Sequence, residues 1–292
     1  MSSRLGGARR FHPELRRASR LLPKAALSAR QLPPVRRLTR RLPGVAEFVE
    51  APVSATASIR VYRPASATGD APALLYIHGG GLVLGSPLQD EPMLKKFADE
   101  LGAVVATVRY RLAPEHPYPA ARDDCYAALL HLAARPGIDP ARIAVGGASA
   151  GGGLAAATVL TARDRGAPAL CFQLLVYPML DDRTAARPDP DAAYRRLWGN
   201  HSNHFGWSSY LGQVPGGPAI HPHAAPGRTT DFAGLPPTWI GIGDLDLFHD
   251  ESLAYAAGLR AAGTEVTVEV VPGAFHGFDA FAGKAVSRTF RA

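Results

Sequence analysis

Residues Gly147-Ala148-Ser149-Ala150-Gly151 hold a serine between two small residues and two glycines. A free serine hydroxyl is protonated at neutral pH, so it attacks a carbonyl only with a base beside it. The spacing predicts a strand over Arg142–Val145 and a small-residue helix over 150–165, so Ser149 falls on the turn between them. Such a turn lifts the hydroxyl clear of a sheet, and the flanking glycines remove side chains that would clash there. The helix start behind it supplies free N–H groups and positive potential where an oxyanion would form. A five-residue pattern also arises by chance as an inert turn. The strand and helix on the correct sides favour the chemical reading.

A second cluster, His78-Gly79-Gly80-Gly81, directly follows the apolar run Ala73–Ile77. Three glycines let backbone N–H groups turn into a cavity. Fixed donors of that kind stabilise charge developing on a carbonyl oxygen, and losing one typically costs ~10²–10³ in rate. A third cluster, residues 241–251, offers Asp244, Asp246 and Asp250 just past the strand Thr238–Ile242. Asp246 best suits an acid facing a base from a strand's carboxyl end. Asp250 precedes a helix and suits helix-start chemistry, and Asp244 suits a hydrogen bond within the turn. Fourth, His276 lies in Pro272–Phe278, after the last strong strand, between an aromatic residue and a glycine. Of ten histidines it alone has the position of a base. His221 and His223 resemble a metal pair, but no further ligand has suitable spacing, so no metal is expected.

The elements that must position these residues alternate. Strands are expected over 58–63, 73–77, 103–108, 142–145, 170–177, 238–242 and 265–271. Helices are expected around Met93, Phe97 and Leu101, over 120–134, 150–165 and 250–262, and near 190–198 within an irregular stretch, 181–235. This β-then-α order predicts an α/β fold with a mostly parallel sheet covered by helices on both faces. Residues 1–44 are broken by Pro13, Pro23, Pro33, Pro34 and Pro43, which are expected to kink or end short amphipathic helices.

Composition narrows the function classes. The chain has 292 residues and a formal net charge of +7. Residues 1–41 carry 12 Lys and Arg against the single acid Glu14, leaving 20 against 24 acids in the remainder. The body is therefore mildly acidic, which argues against nucleic acid as a partner. No run approaches the roughly 20 apolar residues of a membrane span, and no secretory signal is evident. A cytoplasmic location is expected, with Cys125 and Cys171 as buried, unpaired thiols.

These motifs resemble the bacterial hormone-sensitive-lipase family of α/β-hydrolases over approximately residues 58–281. The resemblance rests on residues 78–81, Tyr110-Arg-Leu-Ala-Pro-Glu-His-Pro-Tyr-Pro119, Gly147–Gly152, Asp246–Glu251 and His276–Phe278. It implies a catalytic triad of Ser149, Asp246 and His276, in that chain order, and an oxyanion hole of the Gly79, Gly80 and Ala150 N–H groups. It also implies hydrolysis of short- to medium-chain acyl esters through an acyl-enzyme, with no cofactor and, since many members dimerise, a homodimer. Ala148 stands where the family most often has Asp, so altered local electrostatics with retained activity are expected. Relatives usually continue through a longer closing helix than the segment after Lys284, so uncovered apolar sheet surface, lowered stability or compensating oligomerisation is expected here.

The resulting division is an N-terminal cap segment, 1–44, and a catalytic α/β-hydrolase domain, 45–292, with 181–235 contributing to the cap. A rival reading makes residues 1–44 a basic anchor on anionic membranes, but the prolines limit continuous helix and favour the cap. A rival to enzymatic function is a non-catalytic ligand receptor on the same fold. Such proteins usually lose a triad residue, and all three are present here.

Overall fold

In the computed structural model, which describes residues 10–24, 27–39, 41–281 and 283–291, eight strands form one sheet. They are β1 (Val49–Pro52), β2 (Ser58–Tyr62), β3 (Ala71–Ile77), β4 (Val104–Arg109), β5 (Ile138–Ala148), β6 (Phe172–Val176), β7 (Thr238–Gly243) and β8 (Val266–Val271). Their order is β1-β2-β4-β3-β5-β6-β7-β8. Only the β1–β2 and β2–β4 pairs are antiparallel. The run Ala73–Ile77 is buried throughout, as a continuous apolar run flanked by parallel strands on both sides should be.

The direction of winding reverses between β3 and β5. The chain passes from β3 outward to β4, returns across β3 to β5, and then steps outward through β6, β7 and β8. Crevices beyond the strand carboxyl ends at such a reversal are where open α/β sheets bind ligands. The loop of residues 78–81 and the turn at Ser149 leave these two adjacent strands, which pair through Ile77 and Gly147.

The helices include α1 (Arg16–Leu21), α2 (Leu32–Thr39), α3 (Glu91–Leu101), α4 (Ala120–Ala133), α5 (Ala150–Arg165), α6 (Asn200–Leu211), α7 (His249–Ala261) and α8 (Ala285–Phe290). The first thirteen residues of α5 are buried, which its glycines, alanines and apolar residues permit on every face. In α3 the buried stripe is Glu91, Leu94 and Ala98, while Leu101, expected on the apolar face, is exposed. Glu91 is tolerated there because the Arg60 guanidinium and the Val45 N–H are its partners.

Several expectations are corrected. Pro23 follows the C-cap of α1 as a helix-ending proline should, but three other prolines of the N-terminal segment open helical turns. Pro13 begins a 3₁₀ turn leading into α1, and Pro33 and Pro34 lie in the first turn of α2. At a first turn the missing N–H has no intrahelical acceptor to lose. Leu21 of α1 is exposed, whereas Leu15 before it is fully buried. Residues 190–198 form turns, and the helix of this region is α6, ten residues further on. Edge strand β1 was not expected. Cys171 is exposed, and only Cys125 is buried. Part of the basic N-terminal segment, residues 1–9, lies outside the described residues.

Phe290 of α8 packs on Trp239 and Phe278. Beside it an open, largely apolar groove of about 700 Å³ runs over Leu74, Leu174, Val176 and Trp239 toward Met93 and Phe97. Among the described residues no helix is long and apolar enough to cross a membrane.

Candidate active site

The turn from β5 into α5 holds Ser149 at φ 58° and ψ −122°. A non-glycine residue in that region stores backbone strain, and such strain persists only where the surroundings fix it. Here the Ser149 N–H donates to the Val176 carbonyl at 2.9 Å, and its own carbonyl accepts from Met179 N at 2.9 Å and Gly153 N at 3.1 Å. A Cβ on Gly151 would sit 1.9 Å from the Ile77 carbonyl oxygen, so only glycine lets the turn nest against β3.

His276 arrives from the loop after β8. Its Nε2 lies 2.9 Å from Ser149 Oγ and its Nδ1 lies 2.8 Å from Asp246 Oδ2. Asp246 follows β7 and is buried; its Oδ1 accepts the Phe248 N–H at 2.9 Å, at the start of α7. The Tyr177 and Phe248 rings both pack edge-on to the imidazole and confine it. The rival aspartates do other work. Asp250 lies exposed in the first turn of α7, 2.8 Å from His249 Nδ1. Asp244 reaches beyond its own turn: its Oδ1 accepts the Gly273 N–H at 2.6 Å and ties the β7 loop to the loop bearing His276. His223 is held by Asp164 and Arg122, and its ring packs against His221.

The glycine loop lies against this constellation. Gly80 has φ 129° and Gly81 φ 60°. A Cβ on Gly79 would stand 3.3 Å from Ser149 Cβ, and one on Gly81 would stand 1.9 Å from the Trp198 ring. The Gly79, Gly80 and Ala150 N–H groups donate to no turn or loop carbonyl among the described residues. His78 fixes the loop from behind. Its ring stacks on Tyr110, whose hydroxyl donates to the His78 carbonyl at 2.9 Å. Burial, with Arg109 adding, depresses the His78 imidazole to about 4, so it is neutral at physiological pH.

Ser149, His276, Gly79, Gly80 and Gly81 line a pocket of about 650 Å³. Its wall also includes Pro23, Leu27 and Val35 from the N-terminal segment and Leu197 and Trp198 from the 181–235 stretch. These two regions bind each other. Leu27 N donates to Ser202 Oγ at 2.8 Å, Leu197 N to the Pro23 carbonyl at 3.2 Å, and Arg196 Nε to the Ser19 carbonyl at 2.5 Å. Arg36 of α2 anchors the segment to the body. Its Nε donates to the Val83 carbonyl at 2.6 Å, just past the glycine loop, its Nη2 to the Ala113 carbonyl at 2.5 Å, and both Nη atoms to Glu115.

Sequence reasoning missed Tyr177, Trp198, Asp90 and Arg291 among the lining residues. Tyr177 carried the one available signal, since it ends a strand adjacent to that of Ser149. Asp90 read as an ordinary polar residue before a helix.

A family model described as alpha/beta hydrolase fold matches residues 74–280. Carboxylesterase NlhH of Mycobacterium tuberculosis is 37% identical over 243 residues, covering 77% of this chain and 72% of that protein. Esterase LipI of the same organism is 38% identical over 250 residues, covering 79% and 73%. Among solved structures, a bacterial heroin esterase superposes with a TM-score of 0.88 at 39% identity, covering 98% of this chain and 96% of its own. Esterase LipW of Mycobacterium marinum superposes at 0.83 with 32% identity, covering 98% and 94%. The chain belongs to the α/β-hydrolase family, in its hormone-sensitive-lipase-like branch.

Proposed function

We propose that this chain is a serine carboxylesterase acting on short- to medium-chain acyl esters, with Ser149 as nucleophile, His276 as base and Asp246 orienting that base. The observation that carries the reading is one imidazole lying within hydrogen-bond reach of both the strained serine and a buried carboxylate. His276 takes the hydroxyl proton at Nε2 as Ser149 Oγ attacks the ester carbonyl. The Gly79, Gly80 and Ala150 N–H groups hold the oxyanion. The tetrahedral species collapses, the alcohol leaves with the proton from His276, and water activated by the same imidazole releases the acid. Asp246 keeps Nδ1 protonated and stabilises the imidazolium between steps.

Residues 1–44 and 181–235 act in this reading as a cap, because together they wall the pocket and bond to one another. A volume of about 650 Å³ suits a small ester.

Hydrolysis of p-nitrophenyl butyrate by wild type and Ser149→Ala tests the assignment. Loss of turnover in a variant with an unchanged circular-dichroism spectrum is expected, and full activity in the variant overturns it. A series of p-nitrophenyl acetate, butyrate, octanoate and palmitate reads chain length, and a maximum at palmitate overturns the size assignment.

A further inference from the structure

Asp90 stands at the N-cap position of α3, yet its side chain makes no capping hydrogen bond. It lines the pocket of Ser149 and His276, near Gln89, Ala280 and Arg291. Its Oδ2 is shielded from solvent and has no hydrogen-bond partner among the described residues. A carboxylate in that position is unfavourable. Burial, with the Asp279 charge adding and Arg291 and a hydrogen bond from the Gln89 side chain opposing, pushes the Asp90 carboxyl up to about 7.

The other charges nearby are already matched. Arg291 Nε donates to Asp279 Oδ2 at 3.0 Å, and the Tyr177 hydroxyl donates to Asp279 Oδ1 at 2.8 Å. Arg291 and Asp279 therefore neutralise each other. The phenols of Tyr76, Tyr110 and Tyr177 feel the Asp90 field but carry no positive charge. The Asp90 carboxyl is left with one open acceptor, Oδ2, and no ion pair of its own among the described residues.

We propose that Asp90 is a specificity-determining residue that receives a positively charged group carried on one arm of the ester, so that the pocket selects ammonium-bearing esters over neutral ones of the same shape. The inference rests on the esterase reading above. A cationic arm supplies the missing partner, and a neutral apolar arm leaves the carboxyl uncompensated. Cation binding favours the ionised form of Asp90, so selection for a fixed charge strengthens as pH rises through about 7. His276 acts on both esters alike, so its contribution cancels in the ratio of the two.

Two isosteric pairs locate the charge. Acetylcholine against 3,3-dimethylbutyl acetate places it on the alcohol arm. The p-nitrophenyl ester of 4-(trimethylammonio)butyrate against that of 5,5-dimethylhexanoate places it on the acyl arm. In wild type, kcat/KM for one pair is expected to favour the cation by about tenfold at about pH 8 and by less at about pH 6. Asp90→Asn is expected to lower the cationic ester's kcat/KM about tenfold more than that of its isostere. Its melting temperature at about pH 8 should match or exceed wild type, because an uncompensated charge has been removed; a purely structural Asp90 would lower it. The wild-type comparison needs no variant. A cation-to-neutral ratio at or below one for both pairs, or one independent of pH, overturns the proposal. Failure of wild type to hydrolyse even the neutral esters instead overturns the esterase reading.

Discussion

Asp246 Oδ2 and His276 Nδ1 stand 2.8 Å apart in a buried contact that joins the loop after β7 to the loop after β8. Because Asp246 Oδ1 independently accepts the Phe248 N–H, the carboxylate is oriented before it orients the imidazole. Asp246→Asn has one acceptor where the carboxylate has two: with its oxygen on the Phe248 N–H it presents a donor to Nδ1, and flipped it presents only a neutral acceptor to Nδ1 and leaves that N–H unpaired. The imidazolium loses its counter-charge and the tautomer is no longer fixed. We expect kcat for a chromogenic ester to fall by ~10⁴ with little change in melting temperature. Turnover within about tenfold of wild type would show that Asp246 has no such role.

The glycine loop gives a second prediction, read against a control. A Cβ on Gly80 would lie 2.0 Å from the Leu84 carbonyl oxygen at a φ that L side chains rarely adopt. Gly80→Ala must shift the loop and with it the N–H groups facing Ser149. A loss of ~10²–10³ in kcat is expected. Gly69 shares a positive φ, but its Cβ position is open. Gly69→Ala should therefore cost only ~1–2 kcal/mol of stability and leave kcat in place. Similar kinetics for both variants would count against the loop's role.

Arg36 yields a third. Removing its side chain strips a donor from two buried carbonyls, those of Val83 and Ala113, and frees α2 from the body. We expect Arg36→Ala to lower stability by about 3 kcal/mol in urea titrations and to raise KM, since Val35 of the same helix lines the pocket. Arg36→Lys should recover only part, because one ammonium cannot span two carbonyls and a carboxylate. An unaltered denaturation midpoint in Arg36→Ala would refute the anchoring role.

The fourth concerns acid. His78 is neutral in the folded chain down to about 4, whereas in the unfolded chain it gains a proton near 6.5. Between those values the unfolded state binds more protons, so stability falls as pH falls, by on the order of 3 kcal/mol in total from this residue. Asp90 acts in the opposite sense. Its carboxyl, raised from 3.8 to about 7, holds its proton longer when folded, so its penalty grows as pH rises across that window. The two terms flatten the wild-type profile. In His78→Asn the acid-side loss should disappear, leaving stability rising as pH falls from about 7 to about 4. A His78→Asn profile parallel to wild type would contradict this account.

Much of the architecture was legible because the parallel sheet punctuates its chain. The central strands read as apolar runs, and the loops after β3, β5, β7 and β8 carried the candidate residues. The order Ser149, Asp246, His276 could be read because all three follow strands ending at one edge. Helix α6 was not legible, since it buries Ser202, Asn203, Gly206, Trp207 and Tyr210, a set without apolar periodicity. Its Gly206 is there for contact: a Cβ would stand 2.7 Å from the Gly81 carbonyl oxygen. Asp90 escaped notice for a related reason. Sequence marks it as a polar residue before a helix, and only the tertiary fold leaves its Oδ2 shielded and without a partner.

The pocket wall has a further consequence. Pro23, Leu27 and Val35 reach it from a segment that precedes the first strand, while Ser149, Asp246 and His276 hang from the sheet. One side of the pocket is thus supplied by a stretch of chain separate from the strands that hold Ser149, Asp246 and His276. Substitutions at Pro23, Leu27 or Val35 can reshape that side without touching a strand.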